Sequence, residues 1–234
     1  MDEPIPQPYA HPYFPPPRPK PWVTWTLIGT TVAVFLVQLF YVHQNADGED
    51  VVGDTLAFSA QALADGRIWT LITYAWVHAT VMFNDPSLFW LHIVTNMIPL
   101  FCLGPALEEF LGPWRYLGLY LGGAVAAALT WYFFSAGPGS DQPIVGASGA
   151  VFAVVAAIGT VAPRARVTVF LFYVLPLRMN LRTMAIVACA IEAIQLVFGW
   201  MPEIAHSAHL GGATFGFLYI IVIRFFFRRD RFPN

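Results

Sequence analysis

The sequence predicts an all-α membrane protein, a bundle of six transmembrane helices. Composition is the first reason: of 234 residues, 57% are hydrophobic and 11% charged, and the mean hydropathy of +0.60 is too apolar for a soluble domain of this size. Segment length is the second. Several separate runs reach the ~20 apolar residues a helix needs to cross a hydrocarbon core, whereas the ~10-residue alternating segments of an outer-membrane barrel are missing. The formal net charge is only −2, so no large single-sign field favours a nucleic acid, and none is expected as a partner. The lipid bilayer is the expected surroundings.

The elements follow in chain order. Residues 1–21, MDEPIPQPYAHPYFPPPRPKP, are too proline-rich to form a helix or pack, and are expected to be a disordered tail. A membrane domain is expected over residues 22–227, followed by a short basic tail at 228–234. The run from Trp22 to Tyr41 has basic residues before it and no small-residue cleavage site after it, so it reads as a retained span. From Val42 to about Pro86 the chain mixes acidic residues, among them Asp47, Glu49, Asp50, Asp54 and Asp65, with the aromatic stretch IWTLITYAWVHATVMF, the pattern of a long loop with interfacial helices. Further spans are expected at about 87–106, 114–135, 144–162, 182–200 and 205–225, separated by Pro, Gly or charged residues. The stretch from Arg164 to Leu181 has an apolar centre too short to cross, and is expected to be re-entrant or interfacial. Cys102 and Cys189 fall inside apolar runs, where buried thiols behave as small hydrophobes.

Charge sets the orientation. With six spans, every lysine and arginine except Arg67 falls on one side, so by the positive-inside rule both termini and both tails are cytoplasmic. The expected location is a plasma (inner) membrane. Ser148, five residues after Pro143, then lies roughly 7 Å below the outer end of the fourth span at ~1.5 Å per residue. His209 and His92 lie about as far into the sixth and second spans, with Asn96 one turn deeper on the face of His92. Four polar side chains on three helices converge on one level.

A lone serine in a membrane helix commonly bonds its own i−4 carbonyl, and a lone histidine is more often a buried, hydrogen-bonded one than a catalyst. Ionisable or strongly polar groups in lipid are costly, however, and become functional candidates when they can reach one another. The surroundings allow that reach. The serine stands in GASGA, residues 146–150, and the histidine in AHLGGATFG, residues 208–216, with Gly212 and Gly216 in GxxxG spacing. Small residues let backbones approach, and a short serine-to-imidazole hydrogen bond requires close backbones.

GASGA, AHLGG and HIVTN, residues 92–96, resemble the nucleophile, base and second-span motifs of the rhomboid intramembrane serine proteases, in the family's order and over about residues 68–226. The resemblance implies a six-helix core. It also implies Ser148 as nucleophile, His209 as general base, and His92, Asn96 and the Ser148 backbone N–H as oxyanion donors. By the same resemblance Phe152 is the aromatic set against the base, with core packing as an equal alternative, and Glu108 holds a structural acidic position. Trp69 precedes Thr70 where the family often has Trp-Arg, a departure that bears on how the first loop is anchored. Glu192 is expected near mid-membrane as a protonated or hydrogen-bonded structural residue, with a place as third catalytic member as the alternative, and His206 is expected to be solvated.

The implied activity is hydrolysis of transmembrane protein substrates near the outer leaflet, with no cofactor and no metal; no HExxH occurs. Two rivals stand beside it. A catalytically silent rhomboid-like factor that binds membrane proteins would be expected to lose the serine or histidine. A transporter would line a route through both leaflets, whereas these polar residues gather at one level.

Overall fold

A computed structural model describes residues 20–44, 50–80, 85–137, 140–171 and 174–226. The proline-rich segment up to residue 19 and the basic segment from residue 227 lie outside the described residues. The helices are α1 (Trp22–Gln44), three short ones, α2 (Val51–Leu56), α3 (Ala60–Ala64) and α4 (Thr70–Thr73), then α5 (Phe89–Leu111), α6 (Pro113–Trp131, continued by a π turn to Ala136), α7 (Ser148–Val161), α8 (Leu181–Phe198) and α9 (His206–Phe226). Strands β1 (Arg166–Leu171) and β2 (Leu175–Asn180) form a hairpin between α7 and α8.

Five of the helices, α1, α5, α6, α8 and α9, are long and apolar enough to cross a membrane. The sixth, α7, has 14 residues, which at ~1.5 Å each falls short of a ~30 Å hydrocarbon core. Its position explains how so short a helix is tolerated. It packs against α5, α6, α8 and α9, and most of its residues, small and apolar, are buried. The chain leading into its N-terminal end is covered by protein, so the backbone there can be irregular.

Helix α5 runs to Leu111 and not to about residue 106, through Pro99 and Pro105, until Gly112 at φ 80° ends it. Interior prolines are tolerated in membrane helices because neighbours and local adjustments satisfy the freed carbonyls. The Arg164–Leu181 stretch holds a β-hairpin. Its two halves pair antiparallel from Arg166 opposite Asn180 to Leu171 opposite Leu175, as suits β-branched and aromatic residues in alternation. Cys102 is exposed on the surface of α5 and not buried.

Two faces can be told apart. Trp22 at the start of α1 packs on Trp114 beside the α5–α6 turn, ring centroids 5.8 Å apart. The Arg224 guanidinium near the end of α9 donates to the Val161 carbonyl at the end of α7 (3.2 Å). The described chain therefore enters and leaves on the face that carries the hairpin. The short helices α2–α4 lie at the opposite end, where α7 begins.

Helix α1 is fastened at its first turn by a residue more than eighty positions away. Glu108 Oε1 accepts from the Val23 N–H (2.9 Å), and Oε2 accepts from the Thr24 N–H and hydroxyl (2.7 Å each). This satisfies donors that a helix start leaves without partners, and places a negative charge at the positive end of the helix dipole. Glu108→Ala is expected to cost roughly 3 kcal/mol by stranding buried donors. Glu108→Gln, which keeps one acceptor, should cost less. Thermal unfolding in detergent checks both.

Candidate active site

The site is built on the first turn of α7. Gly146 has φ 112° and cannot be helical, so the chain stays irregular until Ser148 opens the helix. The expected helix from residue 144 is therefore shorter by one turn, and Ser148 sits at an N-terminus, where its backbone N–H has no intrahelical acceptor. The lead into it is held by the loop helices. Phe58 and Ile144 exchange both backbone hydrogen bonds (3.2 and 2.7 Å), and the Gly146 N–H donates to the Tyr74 carbonyl (2.9 Å). Tyr74 in turn donates its hydroxyl to the Ala124 carbonyl of α6 (2.8 Å).

The loop itself is anchored without the Trp-Arg pair. The Arg67 guanidinium donates to the Asp54 carbonyl (3.0 Å) and the Trp69 indole to the Thr55 carbonyl (3.3 Å), both on α2. Asp50 and Ser59 cap α2 and α3 through the Gly53 and Ala62 N–H groups.

His209 reaches Ser148 because α9 and α7 touch backbone to backbone. A Cβ on Gly212 would collide with the Gly149 carbonyl, and one on Gly216 with the Ala153 carbonyl. His209 Nε2 lies 2.8 Å from Ser148 Oγ. The imidazole is buried while Ser148 keeps partial exposure, and Phe152 stacks on the ring, centroids 4.7 Å apart and planes 7° from parallel. Of the two expectations for Phe152, contact with His209 is the one the geometry favours.

His92 stands on the other side of the lead. A Cβ on Gly146 would lie 2.7 and 2.8 Å from its Cε1 and Nε2, so this position needs glycine for space as well as for its backbone angle. His92 Nδ1 accepts the Ala79 N–H (3.0 Å), which leaves Nε2 as the protonated nitrogen of the neutral ring. Asn96 donates from Nδ2 to the His92 carbonyl (2.8 Å), while its buried Oδ1 has no partner among the described residues.

Behind His92 stands His78, fully buried, with ring centroids 5.1 Å apart. The Gln38 side chain clamps its backbone at both N–H and carbonyl (3.1 and 2.9 Å). Burial, and then repulsion from His92 when that ring is protonated, push the His78 imidazole down to about 3.

One residue stands where it was not expected. His206 is buried and not solvated: its Nδ1 is 2.6 Å from Glu192 Oε2, and its Nε2 faces the Trp200 and Met201 carbonyls. Glu192 is hydrogen-bonded, one of the two states expected of it, and the same Oε2 also lies 2.9 Å from His209 Nδ1. The three donor atoms lie within 4.8 Å of one another, and the two contacts are hydrogen-bond spacings, tighter than the ~3.3 Å separation of ligands on a tetrahedral divalent ion.

Two outcomes are expected. Gly146→Ala should cost ~1–3 kcal/mol from backbone strain and displace His92, seen as a lower melting temperature in detergent. For His78, the unfolded ring takes a proton near its ordinary 6.5 and the folded one only near about 3. Between these values the unfolded state holds more protons, so this contribution is intact above pH 6.5 and is lost as pH falls. The loss at pH 5 is ~2 kcal/mol; melting curves against pH should show it, and His78→Gln should flatten that limb.

Residues 65–225 match the family model for the Rhomboid domain. The chain is 37% identical over 130 residues to presenilin-associated rhomboid-like protein A, mitochondrial, of Danio rerio, covering 56% of this chain and 33% of that protein. It is 27% identical to RHOMBOID-like protein 5 of Arabidopsis thaliana, over 94% of this chain and 74% of that one. Rhomboid protease GluP of Bacillus subtilis (strain 168) is 28% identical over 202 residues, 85% of this chain and 34% of the relative. The chain thus spans about a third of the length of the fish and bacterial relatives. With the family match running from the end of α3 into the last turn of α9, this multi-pass membrane protein belongs to the rhomboid family.

Proposed function

We propose that the protein is an intramembrane serine endopeptidase that cleaves transmembrane protein substrates near the outer leaflet. The carrying observation is the 2.8 Å contact of Ser148 Oγ with His209 Nε2 inside a membrane bundle. Ser148 Oγ attacks the scissile carbonyl carbon as its proton passes to His209 Nε2. The new C–O bond leaves negative charge on the carbonyl oxygen, which the Ser148 N–H, His92 Nε2–H and Asn96 Nδ2–H stabilise. Removing one such donor typically costs 10²–10³ in rate, or about 3–4 kcal/mol. Collapse breaks the C–N bond, and His209 returns the proton to the leaving amine. A water deprotonated by the same ring then releases the acyl group and restores Ser148.

The partial exposure of Ser148 at the end carrying α2–α4 supports access for that water. Both termini are assigned to the cytoplasm, because among the described residues every lysine and arginine but Arg67 belongs to the hairpin face. A plasma (inner) membrane is assigned with it. Several relatives carry mitochondrial names, so membrane fractionation of the host cell tests that assignment.

Ser148→Ala should melt as the wild type does and lose both fluorophosphonate labelling and cleavage; unchanged proteolysis would end the proposal. A wild type that binds membrane proteins but never labels would be the silent relative instead. Substrate choice gives a second outcome. A helix in lipid hides its amides in its own hydrogen bonds, so spans with Gly or Pro near their outer ends should be cut faster than an uninterrupted leucine helix. Cleavage rates of such a matched pair in proteoliposomes check this.

A further inference from the structure

The reaction above uses one nitrogen of His209 and says nothing of the other. That nitrogen, Nδ1, is buried, and no in-line hydrogen bond satisfies it among the described residues. The nearest acceptor is Glu192 Oε2 at 2.9 Å, off the straight donor direction. Catalytic hydrogen bonds commonly straighten as substrate closes a site.

The proton count around Glu192 is fixed by its neighbours. His206 Nε2 faces the carbonyls of Trp200 (2.9 Å) and Met201 (3.2 Å); carbonyls only accept, so Nε2 carries a proton. Met201 holds its carbonyl there from a left-handed conformation, φ 52°, a strained setting for a non-glycine residue. The 2.6 Å contact between His206 Nδ1 and Glu192 Oε2 then contains one shared proton. On the far side, His209 Nε2 must be bare to accept from Ser148, which puts the proton of the neutral ring on Nδ1, toward the same Oε2. Whichever side of that contact holds the shared proton, Oε2 keeps a lone pair for the His209 Nδ1–H.

We propose that Glu192 is the positioning residue of the general base. Its Oε2 holds His209 in the Nδ1–H tautomer and faces the charge that ring acquires, while His206 fixes the carboxylate from behind. This deepens the protease reading and rests on it. During acylation the serine proton goes to Nε2, the Nδ1 proton stays on the ring, and Glu192 gains none. Phe152 restrains the same ring through its face, so the carboxylate supplies the in-plane direction that stacking leaves free.

The test uses the full chain in detergent, at neutral pH, with ¹⁵N-labelled histidine. Wild-type His209 should be protonated at Nδ1 and bare at Nε2. In Glu192→Gln, which keeps the size of the side chain, the ring should shift toward the Nε2–H tautomer. Its fluorophosphonate labelling of Ser148 should fall ~10²-fold, and the melting temperature should hold within ~3 °C. For a fluorogenic transmembrane peptide, kcat should fall with KM held, whereas a merely structural tie between α8 and α9 would move melting and KM. Wild-type His209 protonated at Nε2 would overturn the proposal. So would a Gln variant with an unchanged tautomer and labelling within about threefold of wild type. If Glu192→Gln does not fold, the wild-type tautomer alone decides. If the wild type never labels, the protease reading fails, and the tautomer still decides the Glu192 contact.

Discussion

The contact of α7 with α9, backbone against backbone, is the constraint on which the rest of the site depends. Helices that meet through ordinary side chains stand 8–10 Å apart, whereas here the backbones themselves meet, and His209 Nε2 lies 2.8 Å from Ser148 Oγ. Gly212 and Gly216 remove the side chains that would hold α9 away from Gly149 and Ala153. In lipid there is little hydrophobic drive to bring helices together, so close van der Waals packing of this kind is itself the force of association. The residues that make the bundle cohere are thus the ones that set the distance between Ser148 and His209.

The same environment explains the lead into Ser148. Unpaired backbone is expensive in a membrane, and the segment before α7 avoids that cost by pairing with Phe58 and Tyr74 of the loop. The short helices α2–α4 therefore act as a scaffold for the start of α7 and Ser148 as well as a cover. Gly146 sits at the point where this extended chain, the helix start and the His92 ring all meet.

Much of this was legible in the sequence, for identifiable reasons. Length and hydropathy reveal spans because the bilayer imposes them, and five long helices plus the short α7 occupy the six expected places. Ser148 and His209 drew attention because small residues surround polar ones. The hairpin was not legible: a short apolar run bounded by arginines carries too few residues to separate strand from helix by period. The start of α7 was missed because a helical count through GASGA ignores the positive φ of Gly146. The Glu192–His206–His209 group was hidden for another reason. Which face α8 turns toward α9 is decided by the turn between them, through Gly199 and Met201 in left-handed conformations, and no local pattern encodes that rotation.

The hold of Glu108 on the first turn of α1 has a consequence for how the chain assembles. Those donors find their acceptor 84 and 85 residues later in the sequence, on a helix translated long after α1 has left the ribosome. At ~5–20 residues per second of synthesis, α1 waits several seconds in the bilayer before Glu108 arrives. Its apolar length suffices to keep it inserted during that interval. Its docking is deferred until α5 is complete, which makes α1 a late addition to the core.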